Sequence, residues 1–318
     1  MSLKIIGIGK GIPKRKVSNN DLCAFLDTSD EWITTRTGIK NRYICTTESM
    51  LDLSETAAAQ AIKKANLKSQ DIDLIICSTI CGDFVTPSLA CAVQERIKAK
   101  CPAFDVNAAC SGFIYALELA SLYISAGKVD NILIVCAEMM SKHADWSDRS
   151  TCVLFGDGAG ACVVTRGDAL RYTNLSASGE TQMISLSSAC GNNPFVDNKT
   201  ENRYLRMNGP DVYKFAVSAV EKEAGQALQE MGLAHEDVTY YILHQANKRI
   251  IDAIRTKIGL PERKFPVNIE KYGNVSSASI PILLDEMIEA DEIKPGDTLF
   301  LCAFGAGMTV GSCILVWE

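Results

Sequence analysis

Short blocks of consecutive apolar residues, each closed by a polar or glycine position, alternate along this chain with longer stretches whose apolar residues recur at three- and four-residue spacing. The blocks in DIDLIICST (71–79), Pro102 to Val106, NILIVCAE (131–138), DVTYYILHQ (237–245) and DTLFLCAF (297–304) read as strands. The stretches SETAAAQAIKKAN, SGFIYALELASLYISAG, PDVYKFAVSAVEKEAGQALQEMG, ANKRIIDAIRTKIG and SASIPILLDEMIEA read as helices. Pro210 at the start of the third and Gly232 at its end suit the first helical position and a left-handed stop. The helices at 112–126 and 276–290 are apolar around most of their circumference, which places them between layers. Two sheets with central helices sandwiched between them, and further helices outside, satisfy that pattern. Residues 176–208 carry no clear period and read as loop or short irregular structure.

The blocks repeat. DIDLIICST and DVTYYILHQ share an acidic lead-in, an apolar run and a polar edge, and they stand 166 residues apart, with Ser78 opposite His244. NILIVCAE and DTLFLCAF match at the same offset, with Cys136 opposite Cys302. The glycine-rich segments LFGDGAGACVV and FGAGMTVGSCILV align Cys162 with Cys313 at an offset of 151, so the first copy carries an insertion around HADWSDRST. The chain therefore reads as two related α/β halves, 1–171 and 172–318, fused without a linker.

Composition narrows the class. A net charge of -6 with 22% charged residues describes an ordinary acidic protein without the basic footprint of a nucleic-acid partner. No run approaches eighteen apolar residues, and the N-terminal apolar stretch before Lys10 is too short for a signal-peptide core; both point to a cytoplasmic protein without membrane association. The thirteen cysteines are odd in number, lack a C-x-x-C pair and mostly fall inside apolar runs, so reduced core thiols fit better than disulfides or a zinc site.

Three side chains are framed as chemistry. Cys110, in FDVNAACSGFIYALELA, stands where a strand passes through small residues into a helix starting at Ser111 or Gly112. Free backbone N–H groups and the positive end of the helix dipole favour a thiolate there, with a pKa expected at roughly 4–7. The competing reading is one more small buried thiol. His244 falls at the C-terminal edge of an apolar strand before a helix starting near Ala246, while His143 and His235 lie in polar stretches that read as surface loops. Asn274 stands in a glycine-containing turn before another helix. Strand-to-helix edges are where α/β sheets bind ligands.

The segments DTSDEWITTRTGIKNR (27–42), FDVNAACSGF (104–113), SDRSTCVLFGDGAGA (147–161), HQANKRI (244–250), YGNVSSAS (272–279) and FGAGMTVGS (304–312), in this order, resemble the β-ketoacyl-acyl-carrier-protein synthase III family of the thiolase superfamily. The resemblance covers essentially the whole chain and implies an α/β thiolase-like fold of two duplicated halves in a layered αβαβα arrangement. It implies decarboxylative Claisen condensation of an acyl-CoA primer with malonyl-acyl-carrier-protein, initiating fatty acid biosynthesis in a homodimer, with acyl-CoA as substrate and no resident cofactor or metal.

By the same resemblance, Cys110 carries the acyl group, and the backbone N–H of Cys110 with one from the Gly305–Gly307 turn forms the oxyanion hole. His244 and Asn274 donate hydrogen bonds to the enolate oxygen. Thr28, Trp32, Arg36 and Arg149 match the coenzyme A site, with adenine between Trp32 and Arg149; Gly209 and Asn247 line the pantetheine channel. Met140, Phe155, Leu205 and Phe304 wall the acyl pocket. Thr86 stands where some relatives have a phenylalanine that reaches across the dimer, and its smaller side chain leaves room for primers longer than acetyl, unless Phe84 or Val85 fills the space instead. Lys248, Arg249, Arg255 and Lys257, with Lys214, offer a basic dock for an acidic carrier protein. Two enzyme alternatives stay open: a related ketosynthase of secondary metabolism, and a cysteine hydrolase in which Asn274 orients His244 and His244 deprotonates Cys110. An acyl-CoA-binding module without chemistry is a third.

Overall fold

The computed structural model describes residues 2–187 and 204–318. In chain order the strands are β1 (Ser2–Gly11), β2 (Arg15–Ser18), β3 (Asn41–Ile44), β4 (Leu74–Ser78), β5 (Ala103–Val106), β6 (Asn131–Met139), β7 (Asp157–Gly167), β8 (Leu170–Glu180), β9 (Ile184–Ser185), β10 (Arg206–Met207), β11 (Tyr240–Leu243), β12 (Thr298–Gly305) and β13 (Gly307–Val316). The α-helices are α1 (Asn19–Cys23), α2 (Asp30–Thr37), α3 (Met50–Lys64), α4 (Leu89–Ile97), α5 (Gly112–Ser125), α6 (Gly209–Met231), α7 (Lys248–Ile258), α8 (Ile269–Tyr272) and α9 (Ser279–Glu289).

Two sheets dominate. The first runs β1-β7-β6-β4-β5 and the second β11-β12-β13-β8. Within them β4 pairs parallel to β6 and β6 antiparallel to β7; β11 pairs parallel to β12 and β12 antiparallel to β13. The repeated sequence blocks therefore occupy equivalent pairings in the two sheets.

Alternation along each strand explains the layering, because successive side chains leave opposite faces of a sheet. Leu74, Ile76, Ile132 and Ile134 of the first sheet, with Ile242, Leu299 and Leu301 of the second, pack into one core around Phe113, Leu117 and Ile124 of α5 and Ile280, Leu283 and Leu284 of α9. The intervening residues Ile75, Cys77, Leu133 and Val135 pack outward on α3 and α4, and Tyr241, Leu243, Phe300 and Cys302 pack outward on α6 and α7. The order helix, sheet, helix, sheet, helix follows, with α5 and α9 buried at the centre as their all-round apolarity requires.

Local chemistry adjusts the element ends. The helix expected from Ala246 begins at Lys248, because Asn247 is its N-cap and accepts the Arg249 N–H. The stretch 176–208, read as loop, contains the end of β8 and the paired β9 and β10; within it, 188–203 lie outside the described residues. The two histidines expected in surface loops are half-buried: His235 Nδ1 lies 2.6 Å from the Tyr241 hydroxyl, and His143 Nε2 is enclosed without a hydrogen-bond partner. No helix among the described residues is long and apolar enough to cross a membrane.

Candidate active site

Three strand or turn ends converge on one cavity of about 620 Å³, lined among others by Cys110, His244, Asn274, Ser276, Phe304 and Gly305. β5 leads into a short 3-10 turn, Ala109–Ser111, that delivers Cys110 to the start of α5. β11 ends at Leu243, and the His244 N–H bonds the Cys302 carbonyl at 2.9 Å, extending the ladder by one residue. Asn274 is pinned by its backbone: its N–H bonds Leu154 O at 2.8 Å and its carbonyl accepts Gly156 N–H at 3.0 Å. Gly156 is required there, since a Cβ would stand 2.3 Å from Tyr272 O.

Hydrogen bonds orient the two donors. His244 is buried, and its Nδ1 lies 2.7 Å from Ser279 Oγ, which itself accepts the Gln245 N–H at 3.4 Å. With no other acceptor bonded to the Ser279 hydroxyl, its proton is assigned to Nδ1, which puts the imidazole proton on Nε2. Burial pushes the His244 pKa down to about 3, so the ring stays neutral. Phe304 packs on it edge-on, ring centroids 5.4 Å apart. Asn274 Oδ1 accepts the Ser276 N–H at 2.8 Å, which turns the Asn274 amide NH2 toward the cavity.

The nucleophile differs from expectation. Burial, reinforced by the charge of Glu138, pushes the Cys110 thiol up to about 12, against the Ser276 hydroxyl, which favours the thiolate by hydrogen bonding. Burial outweighs the helix N-terminus here, so the shift runs in the direction opposite to the expected value of roughly 4–7.

Around this centre Met140, Phe155, Leu205 and Phe304 line the cavity with Ile80, as expected for an apolar wall. At its mouth stand Trp32, Arg36, Arg149, Gly209, Lys214, Asn247 and Arg249. The guanidinium carbons of Arg36 and Arg149 lie 4.6 and 5.1 Å from the Trp32 ring centroid. Arg149, tied to Asp27 by its Nη1, is thereby held beside the Trp32 ring. Asn247 Nδ2 also donates to Arg36 O at 3.1 Å, tying α7 to α2.

Several expected residues stay outside. Thr28 and Gly307 do not line the cavity; Gly305 does, and it packs so closely that a Cβ would lie 2.6 Å from the Cys110 nitrogen. The turn past Gly305 carries Gly307 outward to an exposed position. Thr86 is exposed on the loop after β4 and does not reach the cavity of its own chain. Of the basic set, Lys248 pairs with Asp252 at 2.8 Å, Lys257 with Glu221 at 2.5 Å and Lys214 with Asp211 at 3.7 Å, and the Arg255 Nε is enclosed; Lys214 and Arg249 are the two of the set that line the cavity.

Sequence reasoning missed Ser276, Ser279 and Glu138. Ser276 and Ser279 lie within YGNVSSAS, where serines two and five residues beyond Asn274 gave no spacing cue. Glu138 had one: it is the single acidic residue in the apolar run NILIVCAEMM, and a charge there has to be partnered.

Comparison with known proteins gives the family. Residues 104–181 match the family model "3-Oxoacyl-[acyl-carrier-protein (ACP)] synthase III", and residues 228–317 match its C-terminal counterpart. The chain is similar to the beta-ketoacyl-[acyl-carrier-protein] synthase III of Aquifex aeolicus, 45% identical over 319 residues and 99% of both chains. The crystal structure of that organism's 3-oxoacyl-[acyl-carrier-protein] synthase III superposes with a TM-score of 0.92 at 44% identity, covering 99% of this chain and 100% of that one. The priming β-ketosynthase from the R1128 polyketide biosynthetic pathway superposes with a TM-score of 0.93 at 33% identity, covering 100% and 96%.

Proposed function

The chain belongs to the 3-oxoacyl-[acyl-carrier-protein] synthase III family, and from that premise we propose that it joins an acyl-CoA primer to malonyl-acyl-carrier-protein with loss of carbon dioxide, the step that initiates fatty acid biosynthesis. The observation that carries the reading is the shared cavity: a sulfur nucleophile and two neutral N–H donors, each with its other polar atom already engaged.

In the first half, Cys110 attacks the primer thioester and coenzyme A leaves. The oxyanion is met by backbone N–H groups at Cys110 and the adjoining Gly305, each such donor being worth about 3–4 kcal/mol in general. In the second half, malonyl thioester replaces coenzyme A and loses carbon dioxide, and negative charge builds on the thioester oxygen. His244 Nε2–H and the Asn274 amide stabilise it without removing a proton, which suits a ring held neutral by burial. The enolate carbon then attacks the acyl-Cys110 carbonyl, and the sulfur leaves.

Trp32, Arg36 and Arg149 hold the adenine and phosphates at the mouth, with Arg249 and Lys214 meeting the acidic carrier. The chemistry draws on side chains and substrates alone. Two copies pair along the open edge of β5, beside the exposed Leu122 and Tyr123, and each extends its 81–87 loop, with Thr86, toward the other's acyl pocket. The small Thr86 leaves that pocket open to primers longer than acetyl.

A hydrolase of papain type requires the asparagine side chain to orient the histidine. Here Ser279 holds His244, and Asn274 is held by Ser276, so the hydrogen bonds favour the condensing reading. The test is intact-protein mass spectrometry after exposure to acyl-CoA esters from acetyl to octanoyl. A single acyl adduct on Cys110, absent in Cys110→Ser and released as product on adding malonyl-acyl-carrier-protein, is expected; hydrolysis of the adduct without condensation would overturn the assignment.

A further inference from the structure

Asn274 can donate to an enolate only while its amide NH2 faces the cavity, and its side chain has few holds. The backbone is fixed by Leu154 and Gly156, but the amide still turns about the side-chain bonds. Among the described residues its one hydrogen bond comes from the Ser276 N–H, 2.8 Å from Oδ1. That N–H is aimed by an uncommon backbone. Ser276 has φ +50°, a left-handed conformation that persists in a non-glycine residue only where its surroundings hold it.

Glu138 supplies the hold. It is fully buried near the end of β6, past the last pairing with β4 at Ser78 and Cys136, between the segment that leaves β4 and the 276–278 turn. Its Oε1 accepts the hydroxyls of Ser276 at 3.2 Å and Ser277 at 3.1 Å. Its Oε2 takes the Ile80 N–H at 3.2 Å, the Cys81 thiol at 3.3 Å and the Thr79 hydroxyl at 3.4 Å. No lysine or arginine is among these partners, so hydrogen bonds from two chain segments satisfy the carboxyl group and tie those segments to one point. Ser276 is therefore gripped twice, by its hydroxyl on Glu138 and by its N–H on Asn274.

We propose that Glu138 is a positioning residue for the enolate donor: through the Ser276 hydroxyl it fixes the left-handed turn whose N–H orients the Asn274 amide. The proposal rests on the condensing reading. Glu138 does not line the cavity, so it acts on the reaction through this turn and transfers no proton. If the grip is lost, Ser276 relaxes out of the left-handed region, its N–H leaves Oδ1, and the amide is free to present oxygen instead of N–H to the developing charge. Acylation of Cys110 does not use that donor and should be spared.

The experiment measures the half-reactions separately, as carbon dioxide released from malonyl-acyl-carrier-protein and as Cys110 adduct mass with acetyl-CoA. Ser276→Ala cuts the link and leaves the backbone N–H in place. It should slow decarboxylation about tenfold to a hundredfold, within the roughly 10²- to 10³-fold ceiling of a lost donor, and acylation only a few-fold. Glu138→Leu should show the same split. Glu138→Gln should recover to within a few-fold of wild type. Its amide oxygen takes the Ile80 N–H, which cannot turn, and its NH2 donates to the Ser276 and Ser277 hydroxyls, which can accept. Added to Asn274→Ala, Ser276→Ala should cost nothing further in decarboxylation, because the group it aims is gone.

Equal losses in both half-reactions, losses that multiply on the Asn274→Ala background, a Glu138→Gln as slow as Glu138→Leu, or wild-type decarboxylation by Ser276→Ala would each overturn the positioning role. Should Glu138→Leu fail to fold, Ser276→Ala alone and on Asn274→Ala decides. A wild type that takes an acyl group on Cys110 yet releases no carbon dioxide would overturn the condensing reading, and the proposal with it.

Discussion

Replacing Asn274 by aspartate isolates the second half-reaction. The side chain is the same size, and one carboxylate oxygen can still take the Ser276 N–H that Oδ1 accepts at 2.8 Å, so the turn should hold its shape. What changes is the atom facing the cavity: an N–H donor becomes an oxygen with a negative charge. Losing one such donor costs about 2.7–4 kcal/mol, or roughly 10²- to 10³-fold. A carboxylate about 4 Å from a developing enolate adds repulsion of order 4 kcal/mol at an effective dielectric of 20. The protein has an escape, because the site is buried and the introduced carboxyl group is pushed above its usual range. Once protonated it is again a donor, so the defect is a function of pH. Decarboxylation of malonyl-acyl-carrier-protein by Asn274→Asp should be down at least 10²-fold at pH 8 and should recover about tenfold per unit as the medium is acidified toward the new group's pKa. Acylation of Cys110, measured by adduct mass in the same preparation, should change only a few-fold. If both halves fall together, or the decarboxylation defect is indifferent to pH, the assignment of Asn274 as an enolate donor is wrong.

Acid should destabilise the fold through His244. Its folded pKa of about 3 lies below the ordinary 6.5, so the unfolded chain binds a proton the folded one refuses; stability is intact above pH 6.5 and falls as pH drops toward 3, by up to roughly 4–5 kcal/mol. Chemical denaturation of wild type and His244→Gln at pH 7 and 4.5 checks this, and an equal acid loss in both would refute it. Trp32→Ala should raise the KM for acyl-CoA about tenfold or more while leaving turnover of short acyl-pantetheine thioesters unchanged; equal effects on both substrates would remove the adenine from that ring. Arg249→Glu should weaken carrier-linked turnover at low salt with a deficit that fades as ionic strength rises, and kinetics that match wild type would take the carrier off this face.

The layered fold was legible because its rule is local: alternation within short apolar blocks, all-round apolarity in two helices, and a repeat at constant offset each leave a mark in the residues themselves. Cys110, His244 and Asn274 were legible for a related reason, since each stands at the end of an element and the ends are visible. The electrostatics were not. A helix terminus is one element, whereas the Cys110 thiol's proton affinity depends on burial by the whole surrounding fold and on the charge of Glu138, which β6 places nearby. Gly307 and Thr28 make the same point: a motif supplies the residue, and the path of the loop decides whether it lines the cavity. Ser276, Ser279 and Glu138 mark where the sequence could have been pressed harder. Two serines beside a candidate asparagine are unremarkable alone, but a lone glutamate in a buried strand obliges the fold to bring hydroxyls to it, and the hydroxyls it receives are those of the catalytic turn. A residue that must be satisfied thus draws a boundary around the site from the inside, and searching apolar strands for such residues finds the partners of a catalytic turn that motif matching passes over.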